Sequence, residues 1–411
     1  MGLFEPLADD ARRALDAAAA LADKTFPLPG RFRARLPSDV AELSRLLTSG
    51  RGERGLSYLG RPSLLSAYLR FYLPWNLYRL CRLLPGLDID LRPGDVITDL
   101  GCGPFTFAAA LWISRPELRS VELEFNCIDR SAPALEAGGK FLAALCGSGG
   151  PWKARALRGE LGAVRAKPAA LVCAANVFNE MHGDVSRGGH DALALAAAKS
   201  ARLLEGYASG APGSAVLVVE PVFPRCGEFV ALLRGELIAR GRMPDSPCPH
   251  ALSCPMPGDR GSGGARAKGR WCHFAFGTEG APASLLKLSA AARIPKERAV
   301  LSFAFAKKRE ARAPEKPAGE GCALRVVSDA FALPGGRFGR YCCCERGLVL
   351  LAGDQGEIES AGSGALVDAV FSGGRKDAKS GAPVAELAGK GGMGRGENAR
   401  RAAARRKALS R

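Results

Sequence analysis

One stretch of the chain, Val96 to Ser131, restricts the fold more than any other. A run of β-type residues ends at a glycine-rich turn, residues 101–104, and an apolar, alanine-rich segment follows. A second apolar run then ends on the acid Asp129. A strand, a tight turn, a helix and a second strand form the opening unit of a nucleotide-binding α/β fold.

The residue types in this turn favour a bound nucleoside. Gly101 and Gly103 carry no Cβ, so the backbone adopts unusual torsions and approaches a ligand closely. A carboxylate at the position of Asp129 accepts hydrogen bonds from both hydroxyls of a ribose. Asp99 stands directly before the turn. The alternatives are a dinucleotide-binding fold and a glycine-rich loop without a ligand.

The segment Asp99-Leu-Gly-Cys-Gly-Pro resembles motif I of the class I S-adenosylmethionine-dependent methyltransferases. In that family this loop contacts the methionine moiety and an acid placed like Asp129 holds the ribose. The resemblance implies an α/β class with a Rossmann-like sheet, and S-adenosylmethionine as the cofactor of Asp99, Gly101, Gly103 and Asp129. Pro104-Phe105 replaces the further glycine that often follows, which departs from the motif.

Two later apolar runs also end in polar residues. The first, Ala170 to Ala175, leads into Asn176, Asn179 and Glu180, and the second ends at Glu220. Ligands of open α/β sheets bind just past the carboxyl ends of the strands. We therefore expect Asn176 at the cofactor and Asn179 and Glu180 on the substrate side, with Glu180 as a candidate base. The alternative for this segment is a turn followed by a helix cap.

A proline-rich loop collects soft metal ligands. Its cysteines are Cys248, Cys254 and Cys272, and two of the chain's four histidines, His250 and His273, lie beside them. Cysteines without a hydrophobic period favour a metal site over core packing. The fourth ligand is expected from the trio at residues 342–344. Zinc and an iron–sulfur cluster both suit such a set, and thiols without a metal are the alternative.

The motifs taken together, DLGCGPF, DRS, NVFNE, VVEP, CPHxxxCP and WCHF, resemble the methyltransferase-like proteins of the small ribosomal subunit. The resemblance spans roughly residues 60 to 352. It implies a 4Fe–4S cluster held by Cys248, Cys254, Cys272 and Cys344, with Cys343 as the alternate fourth ligand. It also implies binding to the immature small subunit through its rRNA. A glycine-rich insertion stretches the spacing between Cys254 and Cys272.

Composition adds a partner class and a location. The net charge of +17 favours a polyanionic partner, which is RNA, DNA or an anionic membrane surface, and charge alone does not choose among them. No apolar run is long enough to cross a bilayer, and the N-terminal residues lack the pattern of a secretory signal. We therefore expect a monomer without membrane contact, cytoplasmic in a bacterium and mitochondrial in a eukaryote.

The chain divides into five expected regions. They are a helical N-terminal region (1–90), a methyltransferase-like core (91–235), a Cys/His metal-binding insertion (236–280), the remaining strands with the fourth cysteine (281–355) and a disordered basic tail (373–411).

Three functions are compatible with these features. The first is a small-subunit assembly protein that binds rRNA, S-adenosylmethionine and a 4Fe–4S cluster. The second is an active rRNA methyltransferase, and the third is a small-molecule methyltransferase with zinc.

Overall fold

A computed structural model describes residues 2–50, 58–147, 149–182, 190–256, 271–309 and 321–388. Within these ranges the α-helices are α1 Asp9–Thr25, α2 Gly30–Arg33, α3 Leu36–Leu47, α4 Pro62–Ala67, α5 Leu73–Leu83, α6 Thr106–Ser114, α7 Ala132–Cys146, α8 Phe178–Met181, α9 His190–Tyr207, α10 Pro224–Ala239, α11 Ala283–Ala291 and α12 Gln355–Ser360. The strands are β1 Asp95–Leu100, β2 Leu123–Asp129, β3 Trp152–Arg158, β4 Leu171–Ala175, β5 Ala215–Glu220, β6 Arg242–Ser246, β7 Phe274–Gly277, β8 Arg298–Lys308, β9 Gly321–Val326, β10 Phe331–Ala332, β11 Phe338–Cys344, β12 Gly347–Gly353, β13 Leu366–Lys376 and β14 Pro383–Leu387.

The first sheet runs in the order β3-β2-β1-β4-β5-β8-β6, and β7 also pairs with β8. Strands β1 to β5 are parallel, whereas β8 is antiparallel to β5 and β6. The central strands are near-continuous apolar runs because helices cover both faces of the sheet. The strand order reverses between β1 and β4, which places the ligand crevice at their carboxyl ends. The predicted class I methyltransferase fold is confirmed.

Helices of the N-terminal region pack on one face of this sheet. A single hydrophobic core joins α1, α3, α4 and α5 to α6 and α7, and a second core on the opposite face holds α9 and α10. The segment Tyr68–Tyr72 between α4 and α5 forms one π-helical turn. Pro74, which predicts a break, instead lies in the first turn of α5, where the amide proton that proline lacks is not required. None of the described helices is long and apolar enough to span a membrane.

The second sheet closes on itself. Strand β9 pairs with both β11 and β13, and the ring β9-β11-β12-β14-β13 is complete. The pair β12 and β14 is parallel, and the other four pairs in the ring are antiparallel. Ile358 of α12, which connects β12 to β13, is fully buried in the same core as the inward side chains of the ring. These strands therefore form a small filled barrel.

The barrel corrects one boundary of the sequence analysis. Residues 373–387 fall within the segment predicted as a disordered basic tail, yet they form the end of β13 and all of β14. Their glycines and lysines suggest low complexity, but Val384 and Ala385 are buried against neighbouring strands. Residues 389–411 of the predicted tail lie outside the described residues.

Candidate functional site

A cavity of about 160 Å³ opens at the carboxyl ends of β1, β2 and β4. We call it the cofactor cavity. The core lines it with Gly101, Gly103, Asp129, Asn176 and Glu180, among others, and the N-terminal region contributes Tyr58, Leu59 and Tyr68. The structure thus brings together four of the five residues expected to bind a cofactor, with the candidate base Glu180 beside them.

The turn after β1 depends on glycine for geometric reasons. Gly101 and Gly103 have φ angles of +62° and +52°, in the left-handed region that favours glycine. A Cβ on Gly101 would lie 2.7 Å from Cγ2 of Val177. The turn therefore brings bare backbone to the cavity wall, and a side chain at position 101 would displace Val177.

Asp129 is held in a fixed orientation at the end of β2. The backbone N–H of Gly103 donates to its Oδ2 at 2.9 Å, and the N–H of Ser131 donates to its Oδ1 at 2.8 Å. Each carboxylate oxygen retains acceptor capacity after one such bond. This arrangement fits the two hydroxyls of a ribose.

Asp99 does not line the cofactor cavity, contrary to expectation. It sits inside β1 between Cys127 of β2 and Cys173 of β4, and the residue is only 1% exposed. Burial, and secondarily the charge of Asp129, raise the pKa of Asp99 well above its usual range. Its Oδ2 has no hydrogen-bond partner among the described residues. As placed, this carboxyl group lies inside the sheet and not at the wall of the cofactor cavity.

Tyr68 is a cavity residue that the sequence analysis missed. It begins the π-helical turn, and its hydroxyl lies 3.7 Å from where a Cβ of Gly103 would stand. Burial, together with the nearby carboxylates of Glu180 and Asp129, raises the pKa of the phenol, so it stays neutral at physiological pH. The aromatic run around it was the available signal, but its spacing also suits an ordinary packed helix.

Asn179 and Glu180 lie on different cavities. Asn179 faces a second cavity of about 290 Å³ beside the cofactor cavity, which we call the ring cavity. Its other lining residues are Thr48, Phe178, His182, Leu193, Glu220, Phe223, Arg225, Cys226 and Phe229. Glu220 accepts the backbone N–H groups of Phe178 and Asn179 at 2.8 and 3.1 Å. Burial raises the pKa of Glu220 to about 8.

The predicted metal ligands meet at a third cavity, which we call the thiol cavity. Cys248, Cys254 and Cys272 line it together with Cys343 of β11. Cys344, the favoured fourth ligand, is not there, because neighbouring residues of a strand point to opposite faces. Its side chain packs inside the barrel with Cys342. The structure therefore places the alternate residue, Cys343, and not Cys344, with the three cysteines of the loop.

Two buried arginines flank these thiols. Arg234 donates to the carbonyl oxygens of Leu252 and His250 at 3.0 and 2.5 Å, within the loop that joins Cys248 to Cys254. Arg325 of β9 donates to the carbonyl oxygen of Pro247 at 2.7 Å. Burial raises the pKa of the Cys248 thiol, and both guanidinium groups oppose this rise.

The donor set of the thiol cavity fits a soft metal centre. Four cysteines surround it, and Nε of the buried Arg234 has no hydrogen-bond partner among the described residues. A guanidinium buried in such a place is stabilised by a nearby anion, which a set of four thiolates provides. As the described side chains stand, however, no group of three or more His, Cys, Asp or Glu is arranged to hold a metal ion. Binding would require the thiols to close in.

The two histidines near these cysteines make different contacts. Nε2 of His250 lies 3.5 Å from Sγ of Cys343, and Nδ1 of His273 lies 3.4 Å from the carbonyl oxygen of Trp271. Burial, and secondarily Arg234, lower the pKa of His250 to about 4, which keeps it neutral.

Comparisons with known proteins give a family and several structural relatives. The profile of the family described as mitochondrial small ribosomal subunit Rsm22 matches residues 88–342, more than half of the chain. A SAM-dependent methyltransferase from Thiobacillus denitrificans in complex with S-adenosyl-L-homocysteine is similar at 13% identity, over 57% of this chain and 92% of that one, with a TM-score of 0.31. The ribosomal protein L11 methylase of Lactobacillus delbrueckii subsp. bulgaricus is similar at 14% identity, over 42% and 69%, with a TM-score of 0.27. No curated protein sequence matches the chain.

Proposed function

The chain belongs to the Rsm22 family of the mitochondrial small ribosomal subunit, and from this premise we propose that it is a small-subunit assembly protein that binds rRNA, S-adenosylmethionine and a metal centre. The observation that carries the ribosomal part is the family match over residues 88–342. The 58 Lys and Arg residues outnumber the 41 Asp and Glu residues, and this positive charge supports an RNA partner. Its place is the bacterial cytoplasm, or the mitochondrion in a eukaryote.

The cofactor cavity supports S-adenosylmethionine as the ligand. Asp129 holds the ribose, and the bare backbone of Gly101 and Gly103 leaves room for the methionine part. Glu180 and Asp129 make the cavity wall acidic, which suits a ligand with a sulfonium and an ammonium group. When bound, the cofactor supplies an electrophilic methyl group, and the residues of the chain hold and orient it.

The thiol cavity supports a 4Fe–4S cluster, with zinc as the alternative. Cys248, Cys254, Cys272 and Cys343 would hold it, and a set made only of thiolates leans towards iron and sulfide. The cluster would add folding free energy by joining the loop of the core to β11 of the barrel.

Sedimentation tests the ribosomal assignment. In lysate of the native organism, tagged protein is expected in the fractions of immature small subunits and to leave them at high salt, because its phosphate contacts are screened. An unrelated tagged protein of similar size and charge serves as the control. Protein that stays at the top of the gradient at low salt would contradict the proposal.

The ring cavity favours methyl transfer to rRNA as a second candidate function. Phe178, His182 and Phe229 have ring centroids 5.4 to 6.1 Å apart along its wall. Phe178 and Phe229 are buried, so His182 is the ring of this group on which a nucleobase can stack, and Asn179 adds an amide beside it. The ring cavity and the cofactor cavity adjoin at α8, where Asn179 lines the ring cavity and Glu180 lines the cofactor cavity.

This candidate is tested with methyl-labelled cofactor and immature small subunits. Label is expected in rRNA, and His182→Ala is expected to lower the rate of labelling at least about tenfold through lost stacking, with cofactor affinity unchanged. Tight cofactor binding without any label in rRNA would exclude the second candidate and leave the first.

A further inference from the structure

The barrel has the topology of an oligonucleotide-binding fold. In such a fold five strands form a ring in the order first, second, third, fifth, fourth, and the third and fifth are parallel. The same order and the same parallel pair occur here, where the first to fifth strands are β9, β11, β12, β13 and β14. A helix joins the third and fourth strands of the ring, and Ile358 of this helix closes the bottom of the core. Most of the barrel lies beyond residue 342, where the family match ends.

Barrels of this kind bind oligonucleotides or oligosaccharides across their second and third strands and the two loops above them. Here those strands are β11 and β12, and the loops are residues 327–337 and residues 377–382. Both loops contact one side chain of β11. The hydroxyl of Tyr341 donates to Oδ2 of Asp377 in the second loop at 2.9 Å, and its ring lies beside Phe331 of the first loop. The expected binding surface is therefore already assembled.

Aromatic and basic side chains cover this surface. The ring of Tyr341 on β11 lies 5.2 Å from the ring of Phe331 on β10, and both residues are partly exposed. Arg337 and Arg375 both approach one carboxylate, that of Glu386, at 2.8 and 3.9 Å. Lys379 is exposed on the second loop. We call Phe331, Arg337, Tyr341, Arg375 and Lys379 the barrel face.

The charge decides between the two ligand classes. The barrel face carries Arg337, Arg375 and Lys379 against the acids Glu386 and Asp377, so it is positive by one charge and favours a polyanion over a neutral sugar. Exposed rings favour unpaired bases, since stacking on an aromatic side chain contributes about 1–3 kcal/mol per base. A duplex keeps its bases stacked on each other and offers only phosphates.

We propose that the barrel binds single-stranded RNA across the barrel face. The inference deepens the proposed rRNA binding by naming the surface and the form of the RNA. Cys343 lies two residues beyond Tyr341 on β11, on the same outer face of the barrel, and it lines the thiol cavity. RNA and the metal centre would thus contact one strand two residues apart.

Fluorescence anisotropy of a labelled single-stranded RNA mixed with the full chain tests the proposed RNA binding. An RNA of about 12 nucleotides is within the range of lengths that one such barrel covers. We expect Phe331→Ala/Tyr341→Ala to weaken binding at least about tenfold. Tyr341→Phe keeps the ring and is expected to bind within about twofold of the parent. Arg375→Gln is expected to reduce the salt slope by about one.

The controls separate the barrel face from general charge and from misfolding. Arg92→Gln removes an exposed arginine of the core, and Phe371→Ala removes a barrel ring outside the barrel face; both are expected to keep the parent affinity. A chain lacking residues 389–411 is expected to show the same sensitivity to the double variant. Equal binding by the double variant and the parent, or equal affinity for duplex and single strand, would overturn the inference. This assay uses a purified oligonucleotide and no ribosomal subunits. Absence of the protein from small-subunit fractions in the sedimentation experiment would therefore contradict the proposed function and not this inference.

Discussion

Replacing Cys343 by alanine is expected to abolish retention of the metal, whereas Cys344→Ala is expected to leave the metal in place. Cys343 lines the thiol cavity with Cys248, Cys254 and Cys272, while Cys344 packs inside the barrel. Partners that only support a ligand already cost about 10–100-fold in metal affinity when removed. Loss of a ligand itself should therefore exceed about 100-fold.

Anaerobic ultraviolet–visible spectra with iron, sulfide and zinc analysis measure this effect. The parent chain is expected to show broad visible absorbance with iron and sulfide, and Cys344→Ala should match it. Stoichiometric zinc in a colourless parent would select the zinc alternative. Retention by Cys343→Ala with loss by Cys344→Ala would restore Cys344 as the fourth ligand.

Replacing Gly101 by alanine is expected to weaken S-adenosylmethionine binding by at least about tenfold. A non-glycine residue at φ +62° costs about 1–2 kcal/mol, and each 1.4 kcal/mol corresponds to a factor of ten. The new Cβ would also lie 2.7 Å from Cγ2 of Val177, so the cavity wall must move. Isothermal titration calorimetry of the purified chain measures the affinity.

Three further variants give this prediction its controls. Gly139→Ala on α7 meets no atom within 4 Å and should leave affinity and stability near those of the parent. Gly103→Ala, whose Cβ would meet only the Tyr68 hydroxyl at 3.7 Å, should have the smaller effect. Adding Val177→Ala to Gly101→Ala should recover part of the loss. Unchanged affinity in Gly101→Ala would show that the cofactor does not contact this turn.

The core of the fold was predictable because its strands are uniformly apolar and its turns are marked by glycine. Strands β4 and β5 end at the residues expected from the pattern, Ala175 and Glu220. Edge strand β3 was missed, since Trp152–Arg158 alternates with exposed charges. The barrel was missed as a unit because its strands mix small, charged and glycine residues, and closure depends on pairings distant in the chain.

The candidate sites were predictable in their residue types and less so in their directions. Motif spacing located the glycine turn, Asp129 and the three cysteines of the loop. It did not decide between Cys343 and Cys344, since a shift of one residue along a strand reverses the face. Nor did it reveal Tyr68, because its contribution depends on how the N-terminal helices pack over the sheet.

The position of Cys343 has a consequence for how the two parts of the molecule depend on each other. Three of the thiols at the shared cavity lie between β6 and β7 in the chain, and one lies on β11 of the barrel. An inorganic centre bound there would act as a removable cross-link. Its loss to oxidation or iron scarcity would leave the apolar contacts that Val327 and Cys343 make with the main core. The affinity for RNA would then depend on the iron supply, without any change in the residues that contact RNA.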